Sequence, residues 1–265
     1  MGSATRQSLS TSRAALTALG AAVDLACAEE LFAAARAIGS SLQLRAMLSD
    51  AATEASEKKA VIDAVFAKSL GDTALNLLTV AASDRWSSDD DLLGGIEDLG
   101  LRAAAVSVST GVSIESELFA IGRAVTSDAA LELALGSKLG ETAAKVTLIT
   151  TLLDGKVSAQ TLAIVRHLLQ LPRGRRIGAL LRHAASVVAD QSGLAVATVT
   201  SAKPIAAAQL DRLQRGLSQS YGKELRINAV VDPALIGGVR VQVGDDVIDG
   251  SVASKLNELR LQLAG

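Results

Sequence analysis

Up to Gly193 the apolar positions of the chain recur with a helical period. Val61 and Ile62 are followed by Phe66, and Leu75, Leu78 and Ala82 continue at i, i+3 and i+7. That spacing lays one face of a helix against a core. Asp50 and Ser56 stand ahead of such runs and are the expected N-caps, because a short oxygen-bearing side chain can accept the unpaired N–H groups of a first turn. All three prolines, Pro172, Pro204 and Pro233, lie late in the chain, so the earlier part lacks the residue that breaks helices. A helical bundle is the expectation.

The pattern repeats itself. Glu30-Leu31-Phe32-Ala33 returns as Glu117-Leu118-Phe119-Ala120, an offset of 87 (117 minus 30). The same offset carries Leu44 onto Leu131, Leu48 onto Leu135, Lys58 onto Lys145, Ile62 onto Ile149 and Leu75 onto Leu162. A constant register over several helices predicts a duplicated bundle, with a first copy over residues 1–105 and a second over 106–192. Two unrelated helical stretches of similar composition are the plainer alternative.

Near Gly193 the period changes from helical to alternating. Leu194–Thr200 is rich in β-branched residues and predicts a strand. Pro204 leads into a helix with Leu210, Leu213, Leu217 and Tyr221 on one face, which Gly222 closes. Leu225, Ile227 and Ala229 alternate with Arg226, Asn228 and Val230, and Val239, Val241 and Val243 with Arg240, Gln242 and Gly244. Each reads as a half-buried strand. Gly244-Asp245 supplies a turn before a short Val247-Ile248 segment, and a last helix carries Val252, Leu256, Leu259 and Leu263 on one stripe. The fold class expected is mainly α, with a small α+β domain over residues 193–265 in the order β-α-β-β-α.

Composition sharpens this. Nearly half of the chain is hydrophobic, yet aromatics are only 2%, so the apolar content is aliphatic and alanine-rich and favours close-packed helices over an aromatic-lined ligand pocket. A net charge of −2 and few stacking platforms argue against nucleic acid. Cys27 is the only cysteine, and His167 and His183 are not spaced as helical i, i+4 ligands, so neither a disulfide nor a clustered metal site is expected. The first twenty residues lack the apolar core of a signal peptide. Mean hydropathy is +0.34, but charges interrupt every apolar run; Ala103–Ile114 is among the longest uncharged stretches, short of the roughly 18–20 residues that a spanning helix needs.

Residues Val231 to Leu263 carry a more specific pattern. Asp232-Pro233-Ala234-Leu235-Ile236-Gly237-Gly238 precedes the alternating strand, which ends Gly244-Asp245; Ile248-Asp249-Gly250-Ser251 then precedes the leucine-rich stretch. This resembles the C-terminal signature of the ATP synthase delta subunit family, which includes the mitochondrial oligomycin-sensitivity-conferring protein. Val199–Pro204 and the Glu57-Lys58-Lys59 start are similar to weaker elements of that family. The helical part departs from the family, whose usual members have a single N-terminal bundle.

The resemblance implies a non-catalytic stator part. Its helical domain would grip the N-terminal segments of the head's alpha subunits, and its C-terminal domain, including the Val252, Leu256, Leu259 and Leu263 stripe, the b-type stalk subunits. It would reach the membrane only through the complex, at the cytoplasmic face of the plasma membrane. No cofactor or small-molecule substrate is expected.

Physically the signature residues read as structure. Gly237 and Gly238 suit positive φ or close backbone approach, Asp232-Pro233 a turn, and Asp249, Gly250 and Ser251 the entry to the last helix. A carboxylate cluster of Asp245, Asp246 and Asp249 is the competing reading, but turn and cap roles account for all three. No phosphate-binding Gly-x-x-x-x-Gly-Lys-Ser/Thr run occurs.

One charge pattern remains. From Gly155 to Ala189 there is no acidic residue, whereas Lys156, Arg166, Arg173, Arg175, Arg176 and Arg182 are basic; Asp84, Asp89, Asp90, Asp91, Glu97 and Asp98 form a block of opposite sign. The basic segment is expected to be a solvated face or to steer an acidic stalk helix. Trp86 is expected as a core anchor, with an interface anchor the alternative, and Cys27 as a small core residue. An unrelated helical adaptor or scaffold is the alternative function; an enzyme lacks support in any paired base and nucleophile.

Overall fold

The structure is a computed structural model that describes residues 2–109, 111–137, 140–244 and 246–251. The chain divides into two compact units, Met1–Val188 and Ala189–Gly265. It is mainly helical, with a small four-stranded sheet in the second unit.

The first unit holds α1 (Ser3–Leu19), a 3₁₀ turn (Gly20–Ala22), α2 (Leu25–Ser40), α3 (Leu42–Ser49), α4 (Ala55–Phe66), α5 (Asp72–Ser83) and α6 (Asp89–Val106). It continues with α7 (Ile114–Ser127), α8 (Ala129–Gly136), α9 (Thr142–Leu153), α10 (Ala159–Gln170) and the start of α11 (Ile177–Gln191). Adding 87 to the bounds of α3, α4 and α5 gives the bounds of α8, α9 and α10, and adding it to α1 gives 90–106, within α6. α6 is therefore the sixth helix of one series and the first of the next.

The recurring Glu-Leu-Phe-Ala motif has a physical reason. Glu30 on α2 accepts the backbone N–H of Gly71 at 2.8 Å, where α5 begins. Glu117 on α7 accepts that of Ser158 at 3.1 Å, where α10 begins; 71 plus 87 is 158. A carboxylate held at a helix N-terminus satisfies unpaired donors and meets the positive end of the helix dipole. Leu31 and Leu118 of the same motif are both fully buried.

The expected caps at Asp50 and Ser56 need correction. Asp50 follows α3, and Glu54 caps α4 in a capping box with Glu57. Asp50 sits too early because an Asp50–Ala52 turn comes first, its side chain accepting the Ala52 N–H at 2.9 Å.

Because both series use α6, it is enclosed on all sides. It packs against α1, α2, α3, α5 and α10, and from Leu92 to Ala105 every residue except Gly94 is buried. Two glycines let the neighbours close in. A Cβ on Gly95 would stand 1.9 Å from the Trp86 ring, and one on Gly100 would stand 2.5 Å from the Phe32 ring. Trp86 is a core residue, as expected, and its indole N–H donates to the Ala81 carbonyl at 2.7 Å. Cys27 is buried too, and burial pushes its thiol up to about 11.

Enclosure also takes three charged α6 residues out of water. Asp98 accepts from Arg13 of α1 at 2.9 and 3.2 Å and from Arg102 at 2.8 Å. Glu97, with its side chain 1% exposed, accepts from Arg175 at 2.7 and 2.9 Å and lies 3.5 Å from Arg173. Burial alone would raise the Glu97 carboxyl, but His167, Arg173 and Arg175 outweigh it and hold it at about 2.

In the second unit, β1 (Leu194–Ser201), α12 (Ala207–Tyr221), β2 (Glu224–Val231), β3 (Val239–Val243) and β4 (Asp246–Asp249) follow in sequence. The strand order is β2-β1-β3-β4, with β1 parallel to β2 and the other pairs antiparallel. The right angle for closing α12 comes from Gly222, left-handed at φ 64°. α12 packs Leu213, Leu217 and Tyr221 on a core of Ala197, Val199, Leu225, Val241 and Val243. One strand departs from the expected alternation. Asn228, read as an outward residue, is only 5% exposed, so β2 is covered on both faces there. The expected last helix lies outside the described residues.

Two predictions follow from the enclosed helix. Gly95→Ala should destabilise the chain by about 1–3 kcal/mol, the usual range for overpacking, although alanine normally gains about 0.5–1 kcal/mol in a helix. Gly216→Ala on α12, where a Cβ meets nothing within 4 Å, should instead stabilise. Urea unfolding of both variants gives the signs, and a stable Gly95→Ala would refute the close-packing argument. Second, Glu97→Gln should cost about 3 kcal/mol at neutral pH, the low end for breaking a buried pair, since Arg175 is 28% exposed and can turn toward water. The Glu97 contribution is complete above pH 4.5, the ordinary value, and is lost as pH falls toward about 2. The variant should therefore lose less stability than the natural chain over that window in parallel denaturant titrations.

Candidate docking surfaces

The signature residues lie in the second unit and come together around the start of β3. The Asp232 carboxylate accepts the Ala234 N–H at 2.9 Å and its carbonyl accepts that of Leu235 at 3.1 Å, with Pro233 at the corner. Gly237 and Gly238 follow at φ 68° and 80°. A Cβ on Gly238 would stand 2.4 Å from the Gly250 carbonyl oxygen, so this position joins the two halves of the motif. Gly250 N–H donates to the Val239 carbonyl at 3.0 Å, and the Asp249 carboxylate accepts the Ser251 N–H at 2.9 Å. The Ser251 side chain first, and then its backbone N–H, lower the Asp249 carboxyl. Ser251 itself is buried, and Gly244 turns β3 into β4 at φ 59°.

This geometry builds a corner. Asp246 and Asp249 are three residues apart on β4, so their side chains leave opposite faces of the sheet, and both are exposed. Asp245 lies outside the described residues. Among those described, no group of three His, Cys, Asp or Glu side chains could hold a metal ion.

The second unit leaves apolar surface open. Val231, Ile236, Val247 and Ile248 are between 46% and 71% exposed. Ile248 pairs with Val241 across β3–β4, so it continues the face that α12 covers farther along, yet it is 52% exposed. β4 is an edge strand with every residue exposed. Val252, Leu256, Leu259 and Leu263 lie outside the described residues.

In the first unit, a groove of about 760 Å³ opens between α8, α9, α10 and α11. Leu133, Leu135, Leu168, Leu169, Ile177 and Leu180 supply its apolar lining, and Lys145, Arg175 and Arg176 its cationic residues. Leu133 is 72% exposed.

Of the five arginines expected to steer a partner, two turn inward. Arg175 pairs with Glu97, and Arg173 with both Glu97 and Asp90, whose carbonyl it also reaches at 2.7 Å. The two blocks of opposite charge in the sequence thus meet each other inside one unit, through Arg173 and Arg175. Arg176 and Arg182 are exposed, and Arg166 is half-buried. Sequence reading missed the cluster of buried Glu97 and His167 with half-buried Arg36, because they come from three helices far apart in the chain. The opposed charge blocks were the one available signal.

Among the described residues no helix is long and apolar enough to cross a membrane. Residues 101–263 match the family model described as ATP synthase delta (OSCP) subunit. The chain is 52% identical over 265 residues to the ATP synthase subunit delta of Leifsonia xyli subsp. xyli, covering 100% of both. It is 35% identical over 267 residues to that of Streptomyces avermitilis, covering 98% of both. A chain in a cryo-EM structure of the Toxoplasma gondii mitochondrial ATP synthase hexamer is similar over 64% of this chain and 96% of its own, with TM-score 0.42 and 18% identity, too loose a likeness to bear on the argument. The full-length identity and the matched signature agree, and the chain belongs to the ATP synthase delta (OSCP) subunit family.

Proposed function

We propose that the chain is a non-catalytic connector of the peripheral stalk, holding the catalytic head to the b-type subunits so that the head cannot turn with the rotor. The observation that carries this reading is that each of two compact units leaves apolar surface open. A joint between two bodies needs two separate docking surfaces. The groove between α8 and α11 suits an amphipathic helix, whose apolar stripe would bury against Leu133 and Leu135 and whose acidic residues would face Arg176. The alpha-subunit N-terminal segments are the occupants we assign to the helical unit. The exposed residues around β4, with Val252, Leu256, Leu259 and Leu263, are assigned to the stalk.

Arg166, Arg176 and Arg182 are the steering residues that fit this reading. Residues 1–105 and 106–192 are proposed as two copies of one bundle, with 193–265 as the stalk-binding domain. The chain would sit at the cytoplasmic face of the plasma membrane, held there by the complex alone, with no cofactor, small-molecule substrate or nucleic acid of its own. Each durable contact should bury on the order of 1,200–2,000 Å².

Co-purification with head and stalk subunits tests the assignments. A chain lacking residues 193–265 should keep the head and lose the stalk; retention of the stalk at full strength would end the second assignment. Leu133→Asp, at a residue too exposed to matter for folding, should weaken head binding about tenfold, or roughly 1.4 kcal/mol. Unchanged affinity would exclude the α8–α11 groove.

A further inference from the structure

His167 lies on α10, fully buried, with its ring stacked on Phe32 of α2 at 4.3 Å between centroids and 14° between planes. Its two nitrogens face different charges. Nδ1 lies 3.5 Å from a guanidinium nitrogen of Arg36 on α2, and Nε2 lies 3.6 Å from the Glu97 carboxylate on α6. Arginine can only donate, so Nδ1 must be the acceptor and the ring proton must sit on Nε2, toward Glu97. The contact is thus made by one tautomer of the neutral ring.

We propose that His167 is a proton-sensitive latch between α2 and α10, closed when neutral and opened by protonation. A second proton has only Nδ1 to go to. There it would place a donor against the Arg36 donor and a cation against a cation, so Arg36 must leave. α2 belongs to the first helical series and α10 to the second, so the latch spans both. Glu97, 3.6 Å from Nε2, pulls toward the charged ring, but its oxygens already accept from Arg175 and lie 3.5 Å from Arg173. It makes no contact with the Nδ1 side, where the second proton meets Arg36.

The surroundings agree from every side. α2 presents Arg36, α6 presents Glu97, the segment after α10 presents Arg173 and Arg175, and α11 presents His183, which interacts with Glu97. On α7, Glu117 is held at the other end of α10 by Ser158 and Thr161, and on α9 Lys145 donates to the Ser137 carbonyl. Burial first, then Arg36 and Arg173, lower the ring below its ordinary 6.5 against the opposing pull of Glu97. The folded state therefore binds fewer protons than the unfolded one below pH 6.5, and acid weakens this contact. Above pH 6.5 the latch contributes fully. The proposal concerns this chain alone, so it stands or falls apart from the connector reading.

The test uses the full chain and its two histidines, whose ring Cε1–H signals are followed by NMR from pH 8 to 4.5. His183→Gln, at an exposed position, assigns the signals. His167 should titrate below 6.5, and Arg36→Met should move that titration upward. Hydrogen exchange, corrected for its intrinsic pH dependence, should show α2 and α10 losing protection as the natural chain is acidified through the same range. In His167→Gln that acid-dependent loss should disappear. A His167 signal that titrates at or above 6.5, or is unmoved by Arg36→Met, overturns the proposal, as does an unchanged loss of protection in a folded His167→Gln. If His167→Gln does not fold, the Arg36→Met titration decides alone.

Discussion

Glu97 is a carboxylate kept from water on a helix that two series of helices use at once. An isolated ionised carboxylate could not be buried there, since desolvation would cost several kcal/mol. The chain meets that demand from a distance of more than seventy residues, with Arg173 and Arg175 delivered by the segment that follows α10. The rest of the helical unit depends on this pairing. It requires α10 to end beside α6, which sets α10 against α2, and the small residues Gly95 and Gly100 then let Trp86 and Phe32 reach the axis.

Much of the fold was legible in the sequence because its signals are local. Strand alternation, Gly222 as a helix terminator and the positive-φ glycines each act within a few residues of where they stand. The offset of 87 was legible because Glu30 and Glu117 make the same helix-capping bond in each series, so the motif repeats for a reason of geometry. What could not be read is long-range. Nothing near Asn228 says that both faces of its strand are covered. Nothing near Arg173 says that it faces Asp90 and Glu97 instead of a partner. A charge block in sequence names a sign and leaves its counterpart open, and here part of that counterpart was the other block of the same chain.

The signature near the C-terminus shows the same division between local cause and distant purpose. Its glycines and aspartates fix one corner, in which Gly238 must lack a side chain for the Gly250 carbonyl to approach. That explains the spacing in this chain without any chemistry at the carboxylates. Among the described residues of this unit the exposed large apolar side chains are Val231, Ile236, Val247 and Ile248, and of these Ile236 and Ile248 stand inside the motif. The motif's glycines and aspartates set the corner, and two of its apolar residues, Ile236 and Ile248, are left exposed beside it.

The buried cluster also sets a limit on how alike the two helical series can be. Shifted by 87, the positions of His167, Arg173 and Arg175 become Val80, Trp86 and Ser88 in the first series, and Glu97 becomes Ser10. None of these can rebuild an arginine–carboxylate–histidine contact. Trp86 instead fills its place with an indole against Gly95. At the equivalent place the first series therefore has an apolar anchor, where the junction with the second has charge. An apolar anchor is indifferent to pH, whereas a histidine between a guanidinium and a carboxylate is not. The histidine's acid response is thus expected at the junction, where the repeat departs from its own pattern.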